Sequence, residues 1–291
     1  MISAIFCSRV KDNPDSAVAR LLDSAVAHVG PDERDQIEFL IKYDDDDDRR
    51  PPDSFFARYP FSIRRWVWSR GEGRHGLHHA QEYLFTQRDP RSRFLLMTAD
   101  DFYFTRSGFV SEILSVSDEF CIMGHNRPPI EAFAGIYEQE SAIRQWNVAF
   151  GEMSPVVSVR LIEVCQNFGW QSNVDSWLMG LSVVLYDMYR IVLWRALTPY
   201  YLREGGYGLG DTPTYNNMEL TSQKTPANKY WFELLRRQAR NVYLNMVHGT
   251  ELDPVSFWSP SRLWWKVRSQ PIHRLPIRVC RTMLRGLRRA G

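Results

Sequence analysis

The sequence predicts an α/β protein whose mostly parallel sheet is flanked by helices and followed by a helical, basic C-terminal extension. Two observations predict the sheet. Short apolar runs alternate with segments of helical spacing through the first 105 residues, at connection lengths suited to βαβ units. Three successive apolar runs also end in polar or charged clusters, as parallel strands do where their carboxyl ends form a ligand-binding edge.

The early elements follow from these patterns. Apolar runs rich in β-formers predict strands at 2–8, 37–43, 62–69 and 93–99. Helical spacing of apolar residues predicts helices at 13–30 and 77–87. The first helix has Asn13 as a candidate cap, Pro14 at the first helical position and Gly30 as its stop.

Beyond residue 105 the pattern is looser. It predicts helices at 109–117, 156–169 and 176–197 and a strand at 119–126. Residues 178–197 are the best candidate for a transmembrane span, but Asp187, Arg190 and Arg195 interrupt them, which predicts a buried helix instead. The stretch from about 202 to 227 is rich in Gly, Thr, Asn and Tyr, which is typical of an active-site loop or lid.

Composition excludes several classes of protein. The 291 residues are 44% hydrophobic and 24% charged, which is ordinary for a folded soluble chain. Four cysteines lie far apart without a CxxC pair, which argues against a zinc knuckle or a disulfide framework and fits a reducing cytoplasm. The N-terminus has too short an apolar stretch for a signal peptide.

Charge divides the chain into an acidic body, 1–253, and a basic tail, 254–291. The tail has nine Lys or Arg and no Asp or Glu; its charge is +9, and the net charge of +2 leaves −7 for the body. Three tryptophans and a final amphipathic segment predict a helix that lies on an anionic membrane surface. The alternative is a tail that packs on the body. The acidic body makes nucleic acid the least favoured partner.

The polar clusters at the predicted strand ends are the first candidate site. They are Ser8-Arg9, the aspartate run 44–48, and Asp100-Asp101. Paired carboxylates at a strand end can hold Mg²⁺ or Mn²⁺, which shares its coordination shell with substrate phosphates. Asp is also common in turns, so a turn is the alternative for Asp100-Asp101.

Two further segments carry candidate residues. The loop "RGEGRHG", 70–76, leads into a helix and offers Arg70 and Arg74 beside flexible backbone, as a diphosphate cradle requires, although a plain loop is the alternative. It has neither P-loop nor dinucleotide-fingerprint spacing. Asp175, just ahead of an apolar helix, is a candidate general base as well as a helix cap.

Taken in order, these segments resemble the GT-A glycosyltransferases, particularly the bacterial family 2 type. The resemblance is carried by "SRVKDNP" after the first strand, "KYDDDDD" at the second strand end, "GEGRHGLHHAQEYL", "TADDFYF" in place of a DxD motif, and "VDSWL". It covers roughly residues 2–185. The sequence departs from the DxD motif because Phe102 follows the two aspartates.

The resemblance implies a GT-A-like, Rossmann-like fold and a metal-dependent, inverting transfer of sugar from a nucleoside-diphosphate sugar, with a UDP-sugar favoured. It implies that Mn²⁺ or Mg²⁺ is held by Asp101, with Asp100 on the ribose or on a metal-bound water, and that Asp175 is the base. The nucleotide-sugar contacts would come from Ser8, Arg9, Asp44, Asp45, Arg70, Arg74 and Asp100. His125 and His248 are candidates for a third metal ligand, and Glu152 and Glu163 are the next candidates for the base.

The expected acceptor is a glycan or lipid-linked hydroxyl in surface-polysaccharide or cell-envelope synthesis, and the expected location is the cytoplasmic side of a membrane. Two alternatives stay open. A sugar nucleotidyltransferase would need a Gly-rich, basic signature after the first strand, which "CSRVKDNPDS" lacks. A non-catalytic, membrane-associated scaffold on the same fold is compatible with the altered DxD motif.

Overall fold

The computed structural model describes residues 1–8, 17–69, 77–125, 130–133, 154–166, 174–203 and 226–249. All of them belong to one unit, Met1–Gly249. The predicted division after residue 253 and the basic tail therefore lie outside the described residues. Among the described helices, none has the length and apolarity required to cross a bilayer.

Nine strands and seven α-helices are formed by the described residues. The strands are β1 (Ile2–Ser8), β2 (Ile37–Asp44), β3 (Ser62–Trp68), β4 (Phe94–Met97), β5 (Phe102–Phe104), β6 (Ile122–Gly124), β7 (Val156–Ser158), β8 (Trp194–Ala196) and β9 (Tyr201–Arg203). The helices are α1 (Ala17–His28), α2 (Asp53–Phe56), α3 (Leu77–Thr86), α4 (Phe109–Ser115), α5 (Val159–Cys165), α6 (Val174–Tyr189) and α7 (Pro226–His248). Pro31–Gln36 and Ile130–Phe133 form 3₁₀ helices.

The main sheet has the order β3-β2-β1-β4-β7-β6-β8, and β5 pairs with β9 in a separate two-stranded sheet. In the described part of the main sheet, β1 is parallel to both β2 and β4, β2 is parallel to β3, and β6 is parallel to β8. Only β7 runs against its neighbours β4 and β6. The predicted class, a mostly parallel sheet flanked by helices, is confirmed.

The hydrophobic core explains why the strands read as unbroken apolar runs. Strands β1, β2 and β4 are buried on both faces, as parallel strands covered by helices are. One face packs against α1, the two-stranded sheet and α4. On the other face, α3 lies against β1 and β2. Burial of these strands and of α1 fixes the register on which the candidate site depends.

The amino ends of the strands hold a buried polar network on the face that α3 covers. Glu38 on β2 is 1% exposed and accepts hydrogen bonds from Ser3 Oγ and the backbone N–H of Asp89, both at 2.6 Å. Arg64 on β3 pairs with its second oxygen at 2.6 Å. Because the carboxylate is satisfied on both oxygens, Glu38 ties β1, β2 and β3 together at the edge opposite Asp100.

Several predicted boundaries are wrong in the second half of the chain. The first three residues of the predicted helix 156–169 form β7, whose last residue, Ser158, caps α5 by accepting from Leu161 N. The predicted helix 176–197 ends at Tyr189, because Arg190 takes a left-handed conformation with φ 58°. The chain then enters β8. Strands β5 and β9 and the long helix α7 were not predicted.

Helix α6 is anchored to α7 by a buried hydrogen-bond chain. The indole N–H of Trp177 donates to Gln238 Oε1 at 2.8 Å, and Gln238 Nε2 donates to the carbonyl oxygen of Cys165 at 3.1 Å. Trp177 and Gln238 are each 2% exposed. One side chain therefore joins α5, α6 and α7, and it fixes the first turns of α6, where Asp175 lies.

Replacing Gln238 by leucine should lower the free energy of unfolding by about 2–4 kcal/mol, because the buried Trp177 N–H and Cys165 carbonyl then each lose a hydrogen bond. Urea denaturation measures the loss. Glu233→Gln, on the exposed side of the same helix, breaks only a surface pair with Arg237 and should change stability by about 0.5 kcal/mol or less. Equal losses in the two variants would contradict the proposed anchoring.

Candidate functional site

The candidate site lies where the carboxyl ends of β1 and β4 meet. The chain leaves β1 for β2 and β3 on one side of it and returns to β4 on the other side, so the strand order reverses between β1 and β4. Ligands of open α/β sheets bind at such a switch point. Ser8, the last residue of β1, donates a hydrogen bond from Oγ to Asp100 Oδ2 at 2.9 Å. The structure thus joins two of the predicted site residues directly.

Asp100 and Asp101 occupy a tight turn between β4 and β5. The backbone N–H of Phe102 donates to the carbonyl oxygen of Ala99 at 3.4 Å, which closes a four-residue turn with the two aspartates at its centre. Both aspartates are partly exposed. The turn interpretation is therefore confirmed, and the turn places the pair at the switch point, where its role in a binding site stays a prediction.

The turn rests on an aromatic cluster formed by Phe102, Phe104, Phe109, Tyr200 and Tyr201. Phe102 stacks on Tyr201 with ring centroids 4.4 Å apart, and Phe104 stacks on Phe109 at 4.5 Å. The backbone of β5 is also tied to α1, since Phe104 N donates to Ser24 Oγ at 2.9 Å. These contacts hold the strand that follows Asp101.

Tyr43 lies directly opposite Ser8 in the β1–β2 register and is 1% exposed. Burial raises the pKa of its phenol, and the negative charge of Asp100 acts in the same direction. Arg65 and Ser8 act in the opposite direction. The phenol group therefore lies within the electrostatic reach of the Ser8–Asp100 pair and remains protonated near neutral pH.

The end of β2 carries a buried ion pair that sequence reasoning missed. Lys42 Nζ pairs with Asp44 Oδ1, and the two side chains are only 5% and 11% exposed. The same ammonium lies 5.3 Å from the centroid of the Trp68 ring on β3. Lys42 and Asp44 are two residues apart on a strand, so their side chains lie on the same face. This spacing is the signal from which the pair could have been predicted.

The aspartate run begins as a structured turn. Arg50 donates from Nη1 to the carbonyl oxygens of Asp44, at 2.7 Å, and Asp45, at 3.0 Å. Asp47 is fully buried, and its carboxylate accepts from the backbone N–H of Arg49 at 3.2 Å. Asp45, predicted to contact the nucleotide, lies exposed at the strand end. Asp44 and Asp45 thus lie at the same edge of the sheet as Ser8.

The thiol of Cys7 on β1 is affected by charged groups of both neighbouring strands. Burial raises the pKa of its thiol to about 12. Lys42 lowers this pKa, whereas Asp44 and Asp100 raise it. One side chain in β1 is thus within reach of the charged groups at the ends of both neighbouring strands, β2 and β4.

Among the described residues, no group of three or more His, Cys, Asp or Glu side chains could hold a metal ion. Asp100 and Asp101 supply two adjacent carboxylates, the hard oxygen ligands that Mg²⁺ or Mn²⁺ prefers, and a cation there would take its other ligands from substrate phosphates and water. His125 accepts a hydrogen bond at Nε2 from the backbone N–H of Tyr200 at 3.3 Å. His248 is exposed at the end of α7. The structure therefore assigns neither histidine to a metal.

Other predicted residues are only partly located. Arg9, Arg70, Arg74 and Glu152 lie outside the described residues. Asp175 is the second residue of α6, which agrees with its predicted place at a helix start, but its side chain is outside the described set. Glu163 lies on α5 and pairs with Arg88 at 2.6 Å. Helix α5 follows β7, and the last residue of β7 lies beside the amino end of β4. Glu163 is thus at the edge opposite Asp100.

The chain matches no family model and no curated protein sequence. It is similar to many solved structures, among them two of TarS and one of a mannosyltransferase. The crystal structure of S. aureus TarS 1–349 is matched at 13% identity and TM-score 0.44, over 69% of this chain and 59% of that one. The complex of TarS 1–349 with UDP-GlcNAc is matched at 13% identity and TM-score 0.44, over 84% and 66%.

The third structure is the mannosyltransferase PcManGT from Pyrobaculum calidifontis in complex with GDP-Man and Mn²⁺. It is matched at 11% identity and TM-score 0.49, over 92% of this chain and 79% of that one. The chain therefore spans less than two thirds of the TarS structures and more than three quarters of the mannosyltransferase. The assignment of the α/β class rests on the sheet topology described above.

Proposed function

We propose that the protein is a glycosyltransferase that uses a nucleoside-diphosphate sugar, with a UDP-sugar favoured. The observation that carries this proposal is the Ser8–Asp100 hydrogen bond across the switch point, with Asp44 at the end of the neighbouring strand. A nucleoside diphosphate has a base and ribose rich in donors and acceptors and a strongly anionic diphosphate. The carboxylates at the strand ends suit the base and ribose. They suit the diphosphate once a divalent cation is bound.

In this proposal Asp101, with Asp100, holds Mn²⁺ or Mg²⁺. The bound cation would offset the charge that develops on the leaving diphosphate. Ser8, Asp44 and Asp45 line the edge where the nucleoside binds, and Arg9, Arg70 and Arg74 are the cations assigned to the diphosphate. Asp175 accepts the proton of the acceptor hydroxyl as that oxygen bonds to the anomeric carbon and the bond to the nucleoside diphosphate breaks. This single displacement inverts the anomeric centre.

The metal and the nucleotide should stabilise the folded protein together. UDP at about 100 times its dissociation constant, with Mn²⁺, adds about 2.7 kcal/mol, or several degrees in Tm, and EDTA removes the gain. Asp101→Asn should abolish this stabilisation while leaving the Tm of the free protein unchanged, and Asp100→Asn should have a milder effect. UDP, GDP, UDP-GlcNAc and GDP-mannose are the probes for differential scanning fluorimetry.

Asp46→Asn is the matched control for Asp101→Asn, because it removes an exposed carboxylate from the aspartate run and should leave nucleotide binding within about twofold. If Asp101→Asn binds UDP as tightly as the wild type does, the metal assignment is wrong. If none of the four probes raises the Tm of the wild type, the glycosyltransferase proposal fails and the non-catalytic scaffold becomes the better interpretation.

The general base has its own prediction. Asp175→Asn should lower the rate of sugar transfer by about 10²–10⁴-fold and leave donor binding within about twofold, because the proton moves only in the transition state. Asp187→Asn, a change of the same kind at the other end of α6, is the control. Transfer within a few fold of wild type in Asp175→Asn would point to another carboxylate, with Glu152 the next candidate.

We also propose that the basic tail, 254–291, binds an anionic membrane surface on the cytoplasmic side and brings the enzyme to a glycan or lipid-linked acceptor. Each Lys or Arg near an anionic surface contributes about 1 kcal/mol, so half of the nine would suffice for reversible attachment. A polysaccharide or cell-envelope precursor is the acceptor class that suits this location.

Truncation before Phe257 should leave a protein that binds donor nucleotide but no longer sediments with anionic liposomes. The matched variant keeps the tail but removes four charges, by replacing with Gln the residues Arg281, Arg285, Arg288 and Arg289. High salt should weaken attachment of the full-length chain. If the full-length protein ignores anionic liposomes at low salt, the tail is not a membrane-binding segment.

A further inference from the structure

The buried Lys42–Asp44 pair has no assigned role in the proposed reaction. Lysine is rare in this chain: five of its 36 Lys and Arg residues are lysines, at positions 11, 42, 224, 229 and 266. Lysine side chains are almost never buried unless they are paired, and the Lys42 side chain, paired with Asp44, is only 5% exposed. The position of this ammonium, two residues before the end of β2, therefore requires an explanation.

Stability alone does not explain it. Removing two charges from water costs several kcal/mol per ion, and replacing a buried ion pair by apolar residues of similar volume is often neutral or stabilising. The neighbours of Lys42 across the sheet are Cys7 on β1 and Trp66 on β3, with which an apolar side chain would pack well. The burial of the pair is thus weak evidence that it stabilises the fold. Its position at the end of β2 says more about its role.

Two cations contact Asp44, one at its side chain and one at its backbone. Lys42 Nζ fixes one side-chain oxygen, and Arg50 Nη1 donates to the main-chain oxygen at 2.7 Å. The ammonium is itself confined, because it lies 5.3 Å from the Trp68 ring centroid. Since both the carboxylate and its backbone are fixed, a ligand would meet Asp44 in one orientation without a further loss of conformational freedom.

The ammonium also supplies positive charge where the site is acidic. Asp44, Asp47, Asp100 and Asp101 all lie at or next to this edge. Lys42 lies opposite Cys7 in the β1–β2 register and pairs with Asp44, so the cation lies at the acidic edge itself. An anionic nucleotide approaching the edge would be repelled less with this cation in place.

From these contacts we infer that Lys42 is a positioning residue for nucleotide binding: it fixes the Asp44 carboxylate at the end of β2 and offsets its charge. The inference rests on the proposed nucleotide site and adds to it a residue that does not touch the ligand. Lys42 acts through Asp44, so its removal should lower donor affinity as well as stability, whereas loss of a merely structural pair would lower only the stability of the free protein.

The test measures UDP binding by calorimetry in Mn²⁺, and the Tm of the ligand-free protein, for full-length variants. Lys42→Met should raise the dissociation constant at least tenfold, whereas Lys42→Arg, which keeps the charge, should recover part of that loss. Arg64→Met is the matched control, because Arg64 pairs with Glu38, a buried carboxylate at the amino end of β2. It should lower the Tm and leave UDP affinity within about twofold.

A second variant keeps the inference testable if Lys42→Met does not fold. The double change Lys42→Met with Asp44→Asn leaves no buried charge without a partner and should fold, but it should bind UDP as weakly as Asp44→Asn alone. Wild-type affinity in Lys42→Met, or in the double variant, overturns the positioning role while leaving nucleotide binding intact. Failure of the wild type to bind UDP or GDP instead overturns the proposed function, and the role of Lys42 with it.

Discussion

The parallel pairing of β1 with both β2 and β4 is the constraint on which the candidate site depends. β1 is buried along almost its whole length, and a slip of one residue would turn its core side chains to the opposite face. With the register fixed, Ser8 lies opposite Tyr43 on one side and reaches Asp100 on the other. Residues 92 positions apart in the chain thus meet because three apolar strands share one register.

Two buried carboxylates on the same face of β2 have different kinds of partner at the two ends of the strand. Glu38, at the amino end, is satisfied by neighbours from other segments and links them together. Asp44, at the carboxyl end, receives a cation from its own strand, through Lys42. A carboxylate that joins three strands serves the fold, whereas one that is fixed locally at a strand end remains placed to meet a ligand.

Sequence patterns predicted β1 to β4 to within two residues at either end, because buried parallel strands give continuous apolar runs with clear breaks. The later strands are three residues long and give a weaker signal: β6 lies within the predicted strand 119–126, whereas β7 was absorbed into a predicted helix. The positions of three candidate residues were predicted, since Ser8, Asp44 and Asp100 lie at or just after the ends of neighbouring strands, whereas their role in a binding site stays a prediction. The Lys42–Asp44 pair was missed although its spacing on one strand was visible in the sequence, and only the fold brings the Trp68 ring beside the ammonium.

The departure from the DxD motif has a structural explanation in the turn. Position 102 begins β5, and the Phe102 side chain is fully buried and stacked on Tyr201. An aspartate there would bury a charge within the aromatic cluster, which is strongly destabilising. The chain therefore uses position 102 to anchor the turn and leaves Asp100 and Asp101 at the edge. A cation bound by this pair would depend on the nucleotide for the rest of its coordination, so metal and nucleotide should bind cooperatively.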